Sequence, residues 1–192
     1  MDVGTIVERI AAGMGDRAVF VGGVAVECYA PYRRTHDVDV VVRERDFAAL
    51  KSLLVGEGFA HRRPTHLEKH AFKARDGGEV DAYTSRIGDV PVDEGLFRRS
   101  RRVPFGGTRV RAASPEDLVR LKLSAGREMD LADVAVLLCE KSAEFDGKGL
   151  ESLVGLDRLR AAAGRLPDSL PEEYGWQARR ALRSWLRNHG WM

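Results

Sequence analysis

The chain has 192 residues, 44% of them hydrophobic and 31% charged, which excludes a disordered tail and allows a buried core. The net charge of +2 is too small to indicate nucleic-acid binding without a local basic surface. Cys28 and Cys139 lie far apart and outside any CxxC spacing, which excludes a disulfide scaffold and fits a reducing compartment. No signal peptide and no stretch of ~20 apolar residues is present, so we expect a cytoplasmic protein without a membrane span.

Helix and strand patterns alternate over the first 113 residues. We predict helices over residues 3–13 and 24–29, and a third that begins at Asp46 as its cap and runs to Leu54. We predict strands over residues 18–21, 37–42, 69–75, 79–83 and 108–112, the last of which closes the sheet.

The pattern changes at Ser114, which is a suitable N-cap for a helix that has Pro115 in its first position. The rest of the chain is predicted to be helical, over residues 115–124, 130–141, 148–163 and 171–188. The sequence therefore predicts an α/β core over residues 1–113 and a helical region over residues 114–192 packed on that core.

Residues 37–42 read DVDVVV and carry the strongest chemical signal. Side chains two apart in a strand point to the same face, so Asp37 and Asp39 project together while the valines pack inward. Two neighbouring carboxylates in so apolar a strand repel each other unless a cation neutralises their charge. Mg²⁺ can be this cation, since it typically binds one or two carboxylates together with the phosphates of a substrate. An acidic pair at a solvated strand end without a function is the alternative.

A glycine pair precedes the acidic pair by the length of a short helix. Gly22 and Gly23 follow the predicted strand over residues 18–21 and begin a helix. Glycines allow backbone N–H groups to approach phosphate oxygens, and the helix N-terminus favours negative charge. A tight turn alone is the other explanation of this pair.

A third carboxylate comes from the predicted strand over residues 79–83, EVDAY. Its alternation places Glu79, Asp81 and Tyr83 on one face. If this strand neighbours the acidic pair, Asp81 would hold a second ion and take the proton of an attacking hydroxyl. Glu79, which lies nearer the turn, is the competing candidate.

The stretch from Gly22-Gly23 to residues 34–41, RTHDVDVV, resembles the nucleotidyltransferase superfamily that includes DNA polymerase beta. Its small members are the minimal nucleotidyltransferases, the AbiEii-like toxins and the aminoglycoside and lincosamide nucleotidyltransferases. A second block, residues 114–134, is similar to the helices that follow the sheet in those proteins. The resemblance implies an α+β fold, with a mixed sheet flanked by helices and followed by a helical C-terminal part.

The resemblance also implies an activity and roles for particular residues. Asp37, Asp39 and Asp81 would bind Mg²⁺ or Mn²⁺ and act in catalysis, and Gly22 and Gly23 would cradle the triphosphate. The reaction would transfer a nucleoside monophosphate from an NTP such as ATP to a hydroxyl, releasing pyrophosphate. The acceptor stays open among small molecules, proteins and RNA. Gly23 departs from the pattern, since many relatives have a serine there.

Arg34 and Lys122 are further candidates for nucleotide contacts. Arg34 precedes the acidic pair and would contact phosphate or the acceptor, with a solvated loop arginine as the alternative. Lys122, in the second block, would contact phosphate or the sheet, with a snorkelling helix lysine as the alternative.

Two other functions compete with catalysis. A catalytically silent relative would bind a partner protein, as in a toxin–antitoxin pair, although the presence of all three carboxylates argues against it. An RNA-binding module would use the arginines of residues 98–102, RRSRR, although no aromatic residue is interleaved with them. Whether the chain forms a homodimer is not decided by the sequence.

Overall fold

A computed structural model describes residues 1–62 and 69–192 of the chain. The chain divides into two compact units, Met1–Ser114 and Pro115–Met192. The first unit is α+β and the second is built from helices, as expected from the change of pattern at Ser114.

Strands occur only in the first unit among the described residues. Their bounds are β1 Ala18–Val21, β2 Val38–Val42, β3 Ala60–Arg62, β4 Lys69–Lys73, β5 Glu79–Tyr83, β6 Arg86–Ile87, β7 Val90–Pro91, β8 Arg101–Phe105 and β9 Thr108–Ala112. Seven of the described strands form one mixed sheet in the order β3-β4-β5-β2-β1-β9-β8, and β6 and β7 form a separate hairpin.

The acid-bearing strands lie in the middle of this sheet. Strand β2 pairs in antiparallel fashion with β1 and in parallel fashion with β5. Val38, Val40 and Val42 are fully buried on one face of β2, as the alternation predicted. The prediction that the strand over residues 108–112 closes the sheet is wrong, because β8 pairs with β9 and forms the edge.

The described part of the first unit contains four helices. Their bounds are α1 Val3–Met14, α2 Gly22–Tyr29, α3 Glu44–Gly56 and α4 Glu94–Arg99. Helices α1 and α3 pack on one face of the sheet. Ile6 and Ile10 of α1 share one hydrophobic core with Leu50 and Leu54 of α3 and with the valines of β2. Helix α3 begins at Glu44 rather than after Asp46, because both acids fit the positive end of the helix dipole in its first turn.

Six helices make up the second unit. They are α5 Pro115–Ala125, α6 Glu128–Glu140, α7 Gly147–Val154, α8 Leu156–Ala163, α9 Leu166–Ser169 and α10 Gly175–Asn188. The single helix predicted over residues 148–163 is interrupted at Gly155, whose φ of 91° is incompatible with a continuous helix. The helix predicted from residue 171 begins at Gly175 instead, after a 3-10 turn.

None of the helices in residues 1–62 and 69–192 combines the length and the apolar character that crossing a bilayer requires.

Candidate active site

Two of the predicted acids lie side by side in the centre of the sheet. Asp39 of β2 and Asp81 of β5 are direct register partners in the parallel pair. Both residues are half-buried, and the sheet face that carries them is opposite to the one covered by α1 and α3. Glu79, the competing candidate, is the register partner of Lys73 and forms an ion pair with it.

Tyr83 lies two residues beyond Asp81 and therefore on the same face. Its hydroxyl donates a hydrogen bond to Oδ1 of Asp39 at 3.2 Å. Burial raises the pKa of the Tyr83 phenol, and the negative charges of Asp39, Asp81 and Asp37 raise it further. The phenol therefore stays protonated and donates to Asp39 throughout the physiological range.

Asp37 does not belong to the strand, which begins at Val38. The prediction of a strand from residue 37 is wrong by one position, and Asp37 is exposed at the end of the preceding loop. The Thr35 hydroxyl donates to Oδ1 of Asp37 at 2.8 Å. The loop thus holds the Asp37 carboxylate beside the start of β2.

The glycine pair brings the N-terminus of α2 against these acids. A Cβ at Gly22 would overlap Oδ2 of Asp39, and Gly22 has a positive φ of 59°. A Cβ at Gly23 would overlap the Thr35 hydroxyl. The N-cap residue of α2, Val21, makes no side-chain capping hydrogen bond, and the start of this helix presents backbone N–H groups beside Asp39. Such a helix end suits an anion that bridges to the carboxylates through a cation.

Asp81 has a cationic neighbour that the sequence patterns did not reveal. The ammonium of Lys69, at the start of β4, forms an ion pair with Oδ2 of Asp81. Lys69 is the register partner of Tyr83, so it lies on the same face of the sheet as the acids. The site therefore contains three carboxylates, a phenol and one ammonium group.

Arg34 and Lys122 have different surroundings. Arg34 is exposed and lines a cavity of ≈ 680 Å³ in the first unit, together with Thr35 and His36. Lys122 belongs to α5 in the second unit, where its ammonium lies 3.0 Å from Asp130 and 2.7 Å from Asp133. These contacts hold the Lys122 ammonium between two aspartates, and its contact with phosphate stays a prediction.

The arginines of residues 98–102 do not form one exposed turn. Arg98 and Arg99 end α4, while Arg101 and Arg102 begin β8. Arg102 forms an ion pair with Asp16 at 2.8 Å. The cluster is therefore divided between two elements.

The carboxylates are suited to a divalent ion that is also bound by a substrate. In residues 1–62 and 69–192, no three Asp, Glu, His or Cys side chains come close enough together to hold a metal ion by themselves. Mg²⁺ seldom has such a complete protein cage and typically uses one or two carboxylates together with substrate phosphates. Asp39 and Asp81, which are register partners on adjacent strands next to a helix start with two glycines, fit that pattern.

The mixed sheet, with an acid on each of two adjacent parallel strands behind a glycine turn, is the fold of nucleotidyltransferases of the DNA polymerase beta superfamily. The chain belongs to the family described as "Nucleotidyltransferase of unknown function (DUF6036)", which matches residues 5–154. No curated protein matches the chain in sequence.

Solved structures with the same fold include antibiotic-resistance nucleotidyltransferases. The solution structure of the antibiotic-resistance factor ANT(2'')-Ia is 16% identical, with a TM-score of 0.53 over 99% of this chain and 95% of that one. The crystal structure of ANT(2'')-Ia in complex with adenylyl-2''-tobramycin is 17% identical, with a TM-score of 0.52 over 94% of this chain and 97% of that one. At these identities the similarity shows the fold.

Proposed function

We propose that this protein transfers a nucleoside monophosphate from an NTP to a hydroxyl group of an acceptor and releases pyrophosphate. The observation that carries the proposal is the register of Asp39 with Asp81 beside the N-terminus of α2. Membership of a nucleotidyltransferase family supports the same reaction class. We expect the reaction to take place in the cytoplasm.

Asp37, Asp39 and Asp81 would hold one or two Mg²⁺ or Mn²⁺ ions, with the triphosphate directed at Gly22 and Gly23. Bound divalent ions neutralise phosphate charge and polarise the α-phosphate. Tyr83 would fix the orientation of Asp39 by donating to one of its oxygens, which leaves Oδ2 on the side of Gly22.

In the chemical step, the acceptor oxygen forms a bond to the α-phosphorus and the bond from that phosphorus to the bridging oxygen breaks. Pyrophosphate leaves, and the hydroxyl proton passes to Asp81 as general base. The ANT(2'')-Ia structure contains an adenylylated aminoglycoside. We therefore propose ATP and small hydroxyl-bearing aminosugars as the first nucleotide and acceptor to test, followed by proteins and RNA.

The test is transfer of label from each α-³²P-labelled NTP, with Mg²⁺ or Mn²⁺, to a panel of these acceptors. We expect transfer by the wild type and a loss of about a hundredfold or more in Asp39→Ala. Lys73→Met, which removes an ion pair on the same sheet, is the matched control and keeps the activity. Label transfer that survives Asp39→Ala contradicts the proposal.

A further inference from the structure

Lys69 supplies a positive charge beside Asp81, on the face of the sheet that carries the acids. It lies opposite Tyr83 in the antiparallel pair of β4 and β5, so its side chain shares a face with Asp81. The side chains of Lys69 and Asp81 are only 32% and 22% exposed. An ion pair that is enclosed to this extent is screened less than a surface pair.

Lys73, the second lysine of β4, provides a comparison for Lys69. Lys73 pairs with Glu79 four residues further along the same strand, and the two side chains are 44% and 48% exposed. No part of the proposed chemistry uses this second pair. Lys69 therefore differs from Lys73 in its lower exposure and in its position opposite Tyr83 and in contact with Asp81.

A metal ion bound by Asp81 would compete with the Lys69 ammonium for the carboxylate. Mg²⁺ requires its ligand oxygens at about 2.0–2.1 Å in a near-octahedral arrangement, which leaves no room for an ammonium in contact with the same oxygen. Asp81 is only 22% exposed, so without a metal ion the contact with Lys69 stabilises its charged form.

We infer that the Lys69 ammonium neutralises Asp81 while the site holds no metal, and that a divalent ion displaces this ammonium when it binds. The inference rests on the proposed function, because it requires Asp81 to be a metal ligand. Lys69 is then a positioning residue, which stabilises the empty site and weakens the binding of the metal alone.

The test is a titration with Mn²⁺ alone, in which electron paramagnetic resonance reports the unbound ion, for the wild type, Lys69→Met and Lys73→Met. We expect Lys69→Met to bind Mn²⁺ about tenfold more tightly, since the competing charge is gone. The thermal midpoint of Lys69→Met should be lower without Mn²⁺ and rise more on its addition. Lys73→Met should match the wild type in both measurements.

A second variant provides a test if Lys69→Met does not fold. Lys69→Arg keeps the charge and can pair with the Asp81 carboxylate through two hydrogen bonds, so it should bind Mn²⁺ less tightly than the wild type. Equal Mn²⁺ affinities in the wild type and the Lys69 variants overturn the inference. If Asp39→Asn still abolishes binding in that case, the proposed metal site stands. An absence of Mn²⁺ binding in the wild type and every variant overturns the inference, while the proposed function is tested separately by label transfer with NTP and metal together.

Discussion

Both units of the chain contain a lysine that contacts aspartate, and the two clusters differ in burial. In the second unit, Lys122 is 10% exposed while Asp130 and Asp133 are 1% and 0% exposed. Arg127 also donates to Asp130 at 2.7 Å, although its own side chain is 76% exposed. Lys122 and the two aspartates therefore form a closed, buried cluster.

The acids of the first unit form a more open cluster. Asp39 and Asp81 are half-buried, Lys69 is 32% exposed, and Asp37 is exposed. Deeply buried ion pairs hold helices together, whereas carboxylates that solvent reaches are accessible to a metal ion and its substrate. We therefore infer a structural role for Lys122 and a functional one for the acids of the sheet.

The largest effect should follow from removing the cation of the closed cluster. Lys122→Met leaves two buried carboxylates without their shared partner, so we expect a loss of about 3–5 kcal/mol in the free energy of unfolding. Chemical denaturation of the wild type and the variant measures this loss. If stability is unchanged and only nucleotide binding is lost, Lys122 is a phosphate contact and the comparison fails.

Acid should weaken the same cluster. Burial raises the pKa of the Asp130 carboxyl, but the hydrogen bond from Arg127 and the charge of Lys122 outweigh burial, so that pKa lies below its usual 3.8. A carboxyl with a lowered pKa stabilises the fold above pH 3.8, and this stability is lost as the pH falls through the folded-state pKa.

Urea unfolding at pH 6, 4 and 3 checks this dependence. The wild type should lose more stability below pH 4 than Asp130→Asn, which cannot be protonated at that position. The loss should remain smaller than that of Lys122→Met at neutral pH. Identical pH profiles of the wild type and Asp130→Asn would show that ionised Asp130 does not contribute to the stability of the cluster.

A methyl group at Gly22 should disturb the open cluster. The added Cβ would overlap Oδ2 of Asp39, and the positive φ of Gly22 is unfavourable for alanine. We expect Gly22→Ala to cost about 1–3 kcal/mol in unfolding free energy and to weaken NTP binding. Gly106→Ala is the matched control, since Gly106 also has a positive φ but no atom near the added Cβ. Equal NTP affinity in the two variants would argue against a role for Gly22 in the site.

The smallest effect is expected from the phenol. Tyr83→Phe removes one hydrogen bond to Asp39, which is worth about 1 kcal/mol, or a several-fold weaker NTP affinity with metal present. Calorimetry of the variant measures it. A loss as large as that of Asp39→Ala would instead place Tyr83 among the groups that contact the substrate.

The sequence predicted the strands that carry the chemistry better than the edges of the sheet. The strands Ala18–Val21, Glu79–Tyr83 and Thr108–Ala112 were predicted to the residue, the first from its short apolar run and the other two from their alternation. Ala60–Arg62 and Arg101–Phe105 were missed, because these strands are short or rich in arginine and polar in pattern. Their pairing with neighbours determines them.

The side chains that contact the acids could not be predicted from the sequence patterns either. Tyr83 was placed on the correct face by alternation, but its hydrogen bond to Asp39 depends on the parallel register of β2 and β5. The contact of Lys69 with Asp81 depends on the register of β4 with β5. That register cannot be deduced from the sequence pattern. Lys122 follows the sequence pattern of the resemblance, while its burial between two aspartates results from helix packing.

Nucleotide binding tests the central claim most directly, since it requires no knowledge of the acceptor. Calorimetric titration with each NTP should show binding in the presence of Mg²⁺, no binding with EDTA, and loss of binding in Asp39→Ala but not in Lys73→Met. NTP binding that is independent of metal and unchanged in Asp39→Ala would contradict the account of the acids of β2 and β5.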